Sequence, residues 1–397
     1  MRRIYLDNSA TTPVDPEVVE AMLPYLTSKF GNASSIHFFG QETKAAVDKA
    51  RHQVAALMNA RPNEIVFTSG GTESNNLAIR GLIQAQSQRS TQPLHIITST
   101  IEHSAVKNVC EDLEKSGVEV TYLPVNESGL VQVDNVKNAV RENTVLISIM
   151  SANNEIGTIQ PVTEIGRLVR ELRKDGRKIW LHTDAVQAVG KMPVDVEEIG
   201  CELLSMSGHK IYAPKGIGAL YIRRGTRLHT QNIGGRQERG IRGGTEPVSQ
   251  IVALGKACEI AKDSLDESTQ RLGQLRDRLE QGIAESIHDI VPNGDRTSRL
   301  PNISNISFRA IEGEGLLINL DMQGVAVSTG SACSSGSLEP SPVIRALGRD
   351  DELARGAIRF SFGKDNTAED VDRVLEILPK AVENLRNLSP KFRQATK

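Results

Sequence analysis

The stretch "EIVFTSGGTESNNLAIRGLIQAQ", residues 64–86, decides the fold. Its first six residues, rich in β-branched and aromatic side chains, read as a strand. A Gly-Gly pair punctuates the chain, and "ESNNLAIRGLIQAQ" reads as the helix that follows. The alternation continues to Arg223. "LHIITS" (94–99), "VEVTYL" (118–123) and "VLISIM" (145–150) read as strands, the last followed by a helix over 163–174. "IWLHTD" (179–184), "LLSMS" (203–207) and "GALYIR" (218–223) complete the series. Strands alternating with helices predict an α/β fold with a mostly parallel sheet covered on both faces. In such sheets ligands collect at the carboxyl ends of the strands.

Beyond the glycine-rich stretch 234–244, a long helical pattern over 248–287 leads to a second, mixed unit. That unit contains "NISNISF" (302–308), "EGEGLLINLDMQ" (312–323), "VIRALG" (343–348), "GAIRFSF" (356–362) and "AEDVDRVLEILPKAVENL" (368–385). The expected division is an N-terminal segment, 1–30, packing with the C-terminal unit, a large domain over 31–255, and a small α+β domain over 256–397.

A chain of 397 residues, 39% hydrophobic and 24% charged, has the composition of an ordinary globular protein. A net charge of −2 argues against a nucleic-acid partner. "MRRIYLDNSATTP" has no apolar signal region, and no run approaches 18 apolar residues, so neither secretion nor a membrane span is expected. Cytoplasmic localisation is the expectation. Cys110, Cys201, Cys258 and Cys333 form no CxxC pair and no zinc spacing, so no metal site is expected. Cys333 differs from the other three in its setting, "STGSACSSGS" (328–337), where small residues flank it on both sides.

The chemistry concentrates in three segments. In "SMSGHKIYAPKG" (205–216) a strand ends just before Lys210, the side-chain type that condenses with an aldehyde when burial and neighbouring cations favour the free amine. In "LHTDAVQ" (181–187) Asp184 stands at a strand end with Gln187 one turn on. A buried carboxylate there can hold a protonated ring nitrogen, and the amide can meet a phenolic oxygen. In "TSGGTESNN" (68–76) Gly70, Gly71 and Thr72 place backbone N–H groups and a hydroxyl at a helix N-terminus, where an anion such as phosphate is favoured. An aldehyde trap, a carboxylate for a ring nitrogen and a phosphate cradle together fit pyridoxal 5′-phosphate.

With those segments, "YLDNSATTP" (5–13), "NNEIG" (153–157) and "STGSACSSGSLEPS" (328–341) make the chain resemble the NifS/IscS-type cysteine desulfurases of the class V aminotransferase group, over residues 4–390. The resemblance implies a fold-type-I pyridoxal-phosphate enzyme with a mixed, mostly parallel seven-stranded sheet and a smaller C-terminal domain. It implies that Lys210 carries the cofactor, that Gly71, Thr72, Ser207 and His209 hold its phosphate, and that Asp184 and Gln187 hold its ring. His103, in "TIEHSAV" (100–106), is expected to stack on the ring and move protons. Asn154 is expected beside the cofactor and the substrate carboxylate, Arg359 to hold that carboxylate, and Thr245, in "IRGGTEP" (241–247), to reach the phosphate of a neighbouring subunit in a homodimer. Cys333 is implied as the nucleophile that takes sulfur from L-cysteine as a persulfide, for an acceptor or iron–sulfur scaffold protein. Gly330 and Gly336 would give its loop freedom to move. A selenocysteine lyase or an aminotransferase of the same fold is the alternative. In "FGNASSIHFFG" (30–40) Ala33 stands where the family usually has proline, a departure that touches loop stiffness.

Overall fold

The computed structural model describes residues 3–88, 92–329 and 339–388. The strands, in chain order, are β1 (Ile4–Tyr5), β2 (Ile65–Thr68), β3 (His95–Ser99), β4 (Glu119–Leu123), β5 (Thr144–Ser148), β6 (Trp180–Asp184), β7 (Leu203–Ser207), β8 (Gly218–Ile222), β9 (Ile290–Asn293), β10 (Ile303–Phe308), β11 (Val325–Ala326) and β12 (Ala357–Ser361). Seven of them form one sheet in the order β2-β8-β7-β6-β5-β3-β4. β4, β3, β5, β6 and β7 run parallel, and β8 runs antiparallel to both β7 and β2. β2, β3, β7 and β8 are buried along their whole length, as expected of strands covered on both faces.

Two apolar clusters clothe this sheet. On one side Leu77, Ile79 and Leu82 of the helix Gly71–Ser87 meet Val66, Ile96, Leu146 and Leu220. On the other, the helices Phe38–Leu57 and Val248–Asp263 pack over Ile65, Phe67, Leu204 and Met206. Small residues let those two helices approach closely. A Cβ added to Gly255 would stand 2.7 Å from the Cα of Ala50.

The helical pattern over 248–287 is two helices, Val248–Asp263 and Leu265–Ser286, separated at Ser264. The break redirects the apolar stripe. Ile251, Leu254, Ala257 and Cys258 belong to the core under the large sheet, whereas Leu272, Leu275, Leu279 and Ile283 belong to a second core. That core lies around the antiparallel sheet β12-β10-β9, is covered by Leu265–Ser286, Gly313–Met322 and Ala368–Leu388, and includes Ile4 and Leu6. β1 pairs in parallel with β11, while Val18, from the helix Pro16–Met22, packs in the first core. The N-terminal residues therefore cross the junction, bringing Asp7 to Arg359 on β12 and Ser9 and Ala10 to Lys210 just beyond β7. No helix among the described residues is long and apolar enough to cross a membrane.

Candidate active site

A cavity of about 370 Å³ opens at the carboxyl ends of β6 and β7. Gly71, Thr72, His103, Asn154, Asp184, Gln187, Ser207, His209, Lys210 and Arg359 all line it. Thr245 does not; it is exposed on the segment between residues 241 and 247. Cys333 lies outside the described residues.

The phosphate cradle is formed where β2 turns into the helix Gly71–Ser87. Gly70 has φ of +152°, and a Cβ on Gly218 would strike its Cα at 2.7 Å, so backbone lies directly on backbone there. A Cβ on Gly71 would stand 2.8 Å from Val186 Cγ2 and 3.6 Å from Ser207 Cβ. The N-terminal end of the helix is thus kept open beside the hydroxyl of Ser207 by the absence of a side chain. Thr72 and Asn75 follow at helical spacing on the cavity side.

Asp184, the last residue of β6, is buried, and its Oδ2 accepts a 2.6 Å hydrogen bond from Asn75 Nδ2 while Oδ1 accepts from the Val186 N–H at 3.0 Å. Asn75 Oδ1 is buried without a protein partner. Lys210 follows β7 by one turn of 3₁₀-helix, Gly208–Lys210. Its Nζ donates to the carbonyls of Ser9 and Ala10, both at 2.6 Å. Gln187 Nε2 donates to the same Ser9 carbonyl at 3.0 Å, and its Oε1 accepts from Lys191 Nζ at 2.8 Å. His209 Nδ1 meets Thr11 Oγ1 at 3.2 Å. Burial, then the charges of Lys210, Lys215 and Lys191, hold this imidazole down to about 4, so it meets an anion at neutral pH as a neutral hydrogen-bonding ring.

His103 is the N-cap of the helix Ser104–Glu114, and its Nδ1 accepts from the Ala105 N–H at 3.1 Å. With Nδ1 occupied as acceptor, the neutral ring carries its proton on Nε2. His103 is therefore set as a donor at Nε2; to take up a proton, as the expected movement of protons also requires, it must give up its cap. Its neighbour Glu102 accepts from Ser99 Oγ at 2.7 Å and Met150 N–H at 3.0 Å, and burial pushes its carboxyl up to about 8.

Arg359, in the middle of β12, is buried among groups from three parts of the chain. Nη2 donates to Asp7 Oδ1 at 2.7 Å and Nη1 to the Asn154 carbonyl at 2.9 Å, while Nε is buried without a protein partner. The guanidinium lines the cavity with its charge shared with Asp7, and a planar cation of this kind suits a carboxylate.

Ser9, Ala10, Asn75, Met150, Ala152 and Val186 also line the cavity and were not singled out by sequence reasoning. Asn75 had a signal, its position three residues after Thr72 on a helix that opens at the site. Ser9 and Ala10 had none, because they act here through backbone carbonyls. The donor set fits pyridoxal phosphate. The Gly71 cradle is one a methyl group would fill, Asp184 is braced by Asn75, and Lys210 lines the same cavity.

Residues 4–374 match the family described as aminotransferase class-V. The chain is 52% identical to the cysteine desulfurase IscS of Dictyoglomus turgidum over 389 residues, 98% of this chain and 97% of that protein. It is 52% identical to the cysteine desulfurase IscS of Methanosarcina thermophila, over 98% and 94% of the two chains. Among solved structures, a NifS-like protein superposes with a TM-score of 0.89 at 38% identity, covering 96% of this chain and all of the other. The structure of SspA in complex with cysteine gives a TM-score of 0.80 at 38% identity, covering 90% and 98%. The chain belongs to the class V aminotransferase family, on the fold-type-I scaffold of its NifS-like neighbours. Within that family it is of the NifS/IscS cysteine desulfurase type, and its cofactor is pyridoxal 5′-phosphate.

Proposed function

We propose that the protein converts L-cysteine to L-alanine, with the sulfur held as a persulfide on Cys333 and then passed to an acceptor protein for iron–sulfur cluster or other thio-cofactor assembly. The observation that carries this is the meeting of Lys210, Asp184, His103, Arg359 and the Gly71 cradle on one cavity. Overall, the Cβ–S bond of cysteine breaks and an S–S bond forms on Cys333, whose thiol hydrogen balances the new C–H of alanine.

When bound, pyridoxal phosphate supplies an electron-accepting ring that stabilises negative charge at Cα. Gly71, Thr72, Ser207 and His209 would hold its phosphate, and Asp184 the proton of its ring nitrogen. Arg359, a guanidinium on the cavity wall, would orient the substrate carboxylate, with Asn154 beside it. Lys210 Nζ, the attachment point for the aldehyde, becomes the base for the Cα proton once displaced. His103 holds a proton at Nε2, available for transfer within the cavity. The thiol of Cys333 is mostly protonated near neutrality, so its attack on sulfur needs a proton acceptor inside the site.

A homodimer is supported by an exposed aromatic patch. Phe30, Ile36 and Phe38 are 70%, 92% and 73% exposed, and Phe30 stacks on Phe39 with ring centroids 5.6 Å apart. Such a patch marks a protein interface, and a second copy would also receive the exposed Thr245. The change of core between Cys258 and Leu272 supports a division into a large and a small unit near residue 256, and of the segment 1–30 Ile4 and Leu6 join the second core whereas Val18 joins the first.

The test is Cys333→Ala. The variant is expected to retain the visible absorbance of the bound cofactor while releasing no alanine from cysteine. Turnover at the wild-type rate would remove Cys333 from its role.

A further inference from the structure

Lys191 is absent from the wall of the 370 Å³ cavity. It lines a smaller space of about 70 Å³ that reaches the other side of Lys210. From there its Nζ donates to Gln187 Oε1 at 2.8 Å. Gln187 Nε2 donates in turn to the Ser9 carbonyl at 3.0 Å, the oxygen that also accepts from Lys210 Nζ at 2.6 Å.

We propose that Lys191 is a positioning residue that locks the Gln187 carboxamide with its N–H end turned toward the cofactor's ring hydroxyl. This rests on the pyridoxal-phosphate site described above. The two ends of an amide are told apart by their partners. An amine on a lysine donates at this contact, and a backbone carbonyl only accepts. Flipping Gln187 would set its NH₂ against a protonated Lys191, donor against donor, and its oxygen against the Ser9 oxygen. The amide is therefore fixed from both ends. Nε2 has a second hydrogen beyond the one given to Ser9, and a phenolic oxygen that carries negative charge requires such a donor. A flipped amide would offer that oxygen a lone pair instead.

The electrostatic setting is consistent with a dedicated role. Burial, then the charges of Lys210 and Arg359, holds the Lys191 amine down to about 7. Keeping an amine in such a place is unfavourable unless its hydrogen bond is used. Protonated Lys191 can only donate and so excludes the flipped amide at this end, while the Ser9 carbonyl, which only accepts, fixes the other end in either charge state.

The test uses full-length protein stripped of cofactor and reconstituted with pyridoxal phosphate. Wild type, Lys191→Met, Lys191→Arg, Gln187→Ala and the double variant Gln187→Ala/Lys191→Met are compared. Two quantities are read: the dissociation constant of the cofactor, and the pH midpoint of its visible band when bound. Losing one donor to a charged oxygen is expected to weaken binding by roughly tenfold in Lys191→Met and to raise the midpoint by up to about one pH unit. Lys191→Arg, which keeps a donor, is expected to retain most of the wild-type midpoint. The double variant is expected to be no weaker than Gln187→Ala alone, because Lys191 acts through that amide. If Lys191→Met does not fold, Lys191→Gln, too short to reach Gln187 Oε1, is read in its place. A wild-type midpoint and affinity in Lys191→Met, or additive losses in the double variant, would overturn the proposal. A wild type that takes up no pyridoxal phosphate would overturn the cofactor site as well, an outcome distinct from the other two.

Discussion

His182 sits two residues before Asp184 on β6, on the same side of the strand, with no exposed surface. Its Nδ1 meets Ser148 Oγ of β5 at 2.8 Å and its Nε2 meets Ser205 Oγ of β7 at 3.0 Å. The ring thus ties three adjacent strands through hydroxyls, and burial pulls it down to about 3. The sign follows directly. An unfolded histidine takes a proton near pH 6.5 and the folded one does not, so stability is intact above that value and falls as the pH drops toward 3. Between pH 7 and pH 5 the linkage amounts to about 2 kcal/mol for this one group. Trp180, the only tryptophan, lies on the same strand and reports its unfolding by fluorescence. Equilibrium urea unfolding of wild type and His182→Asn at the two pH values checks the point. The substitution lowers stability at both, but only the wild type should show the additional loss of about 2 kcal/mol on acidification. Because β6 carries Asp184, the wild type should also shed cofactor as this loss develops. An equal drop in both proteins would mean that His182 accepts a proton in the folded state, and the account of its burial would be wrong.

Three further outcomes are expected. Gly71→Val places its first side-chain carbon 2.8 Å from Val186 Cγ2 and the rest in the cradle, so pyridoxal-phosphate affinity should fall at least about tenfold, measured by equilibrium dialysis. Arg359→Lys keeps a charge but loses the planar fork, so KM for cysteine should rise by roughly 10- to 100-fold in an alanine-release assay while cofactor affinity holds. Arg51→Met removes the partner of Glu238, which Arg51 grips at 2.7 and 2.8 Å with both side chains buried; leaving that carboxylate unpaired should destabilise the protein by about 3–5 kcal/mol in urea unfolding.

The seven strands of the large sheet were legible because each is a short stretch, too short for a helix, rich in apolar or β-branched residues, and the stretches alternate with helical patterns. The second unit was less so. β1 and β11 have two residues each, and a two-residue strand is defined by its partner rather than by any period in its own sequence. The break at Ser264 was hidden for a related reason. Helical periodicity runs through it on both sides, and only the three-dimensional change from one core to the other shows that the stripe has been redirected. At the site, side chains with distinctive chemistry, such as Lys210, Asp184 and Arg359, announced themselves, but what braces them did not. Asp184 is held by Asn75 from a segment 109 residues away, and Arg359 by Asp7 across 352 residues. Lys210 meets two backbone carbonyls that no residue type encodes. The hydrogen bond from Ala105 to His103 shows what such support decides. The histidine was nameable from sequence, but which of its nitrogens holds the proton depends on a backbone N–H two residues along, and the direction in which it can move a proton depends on that.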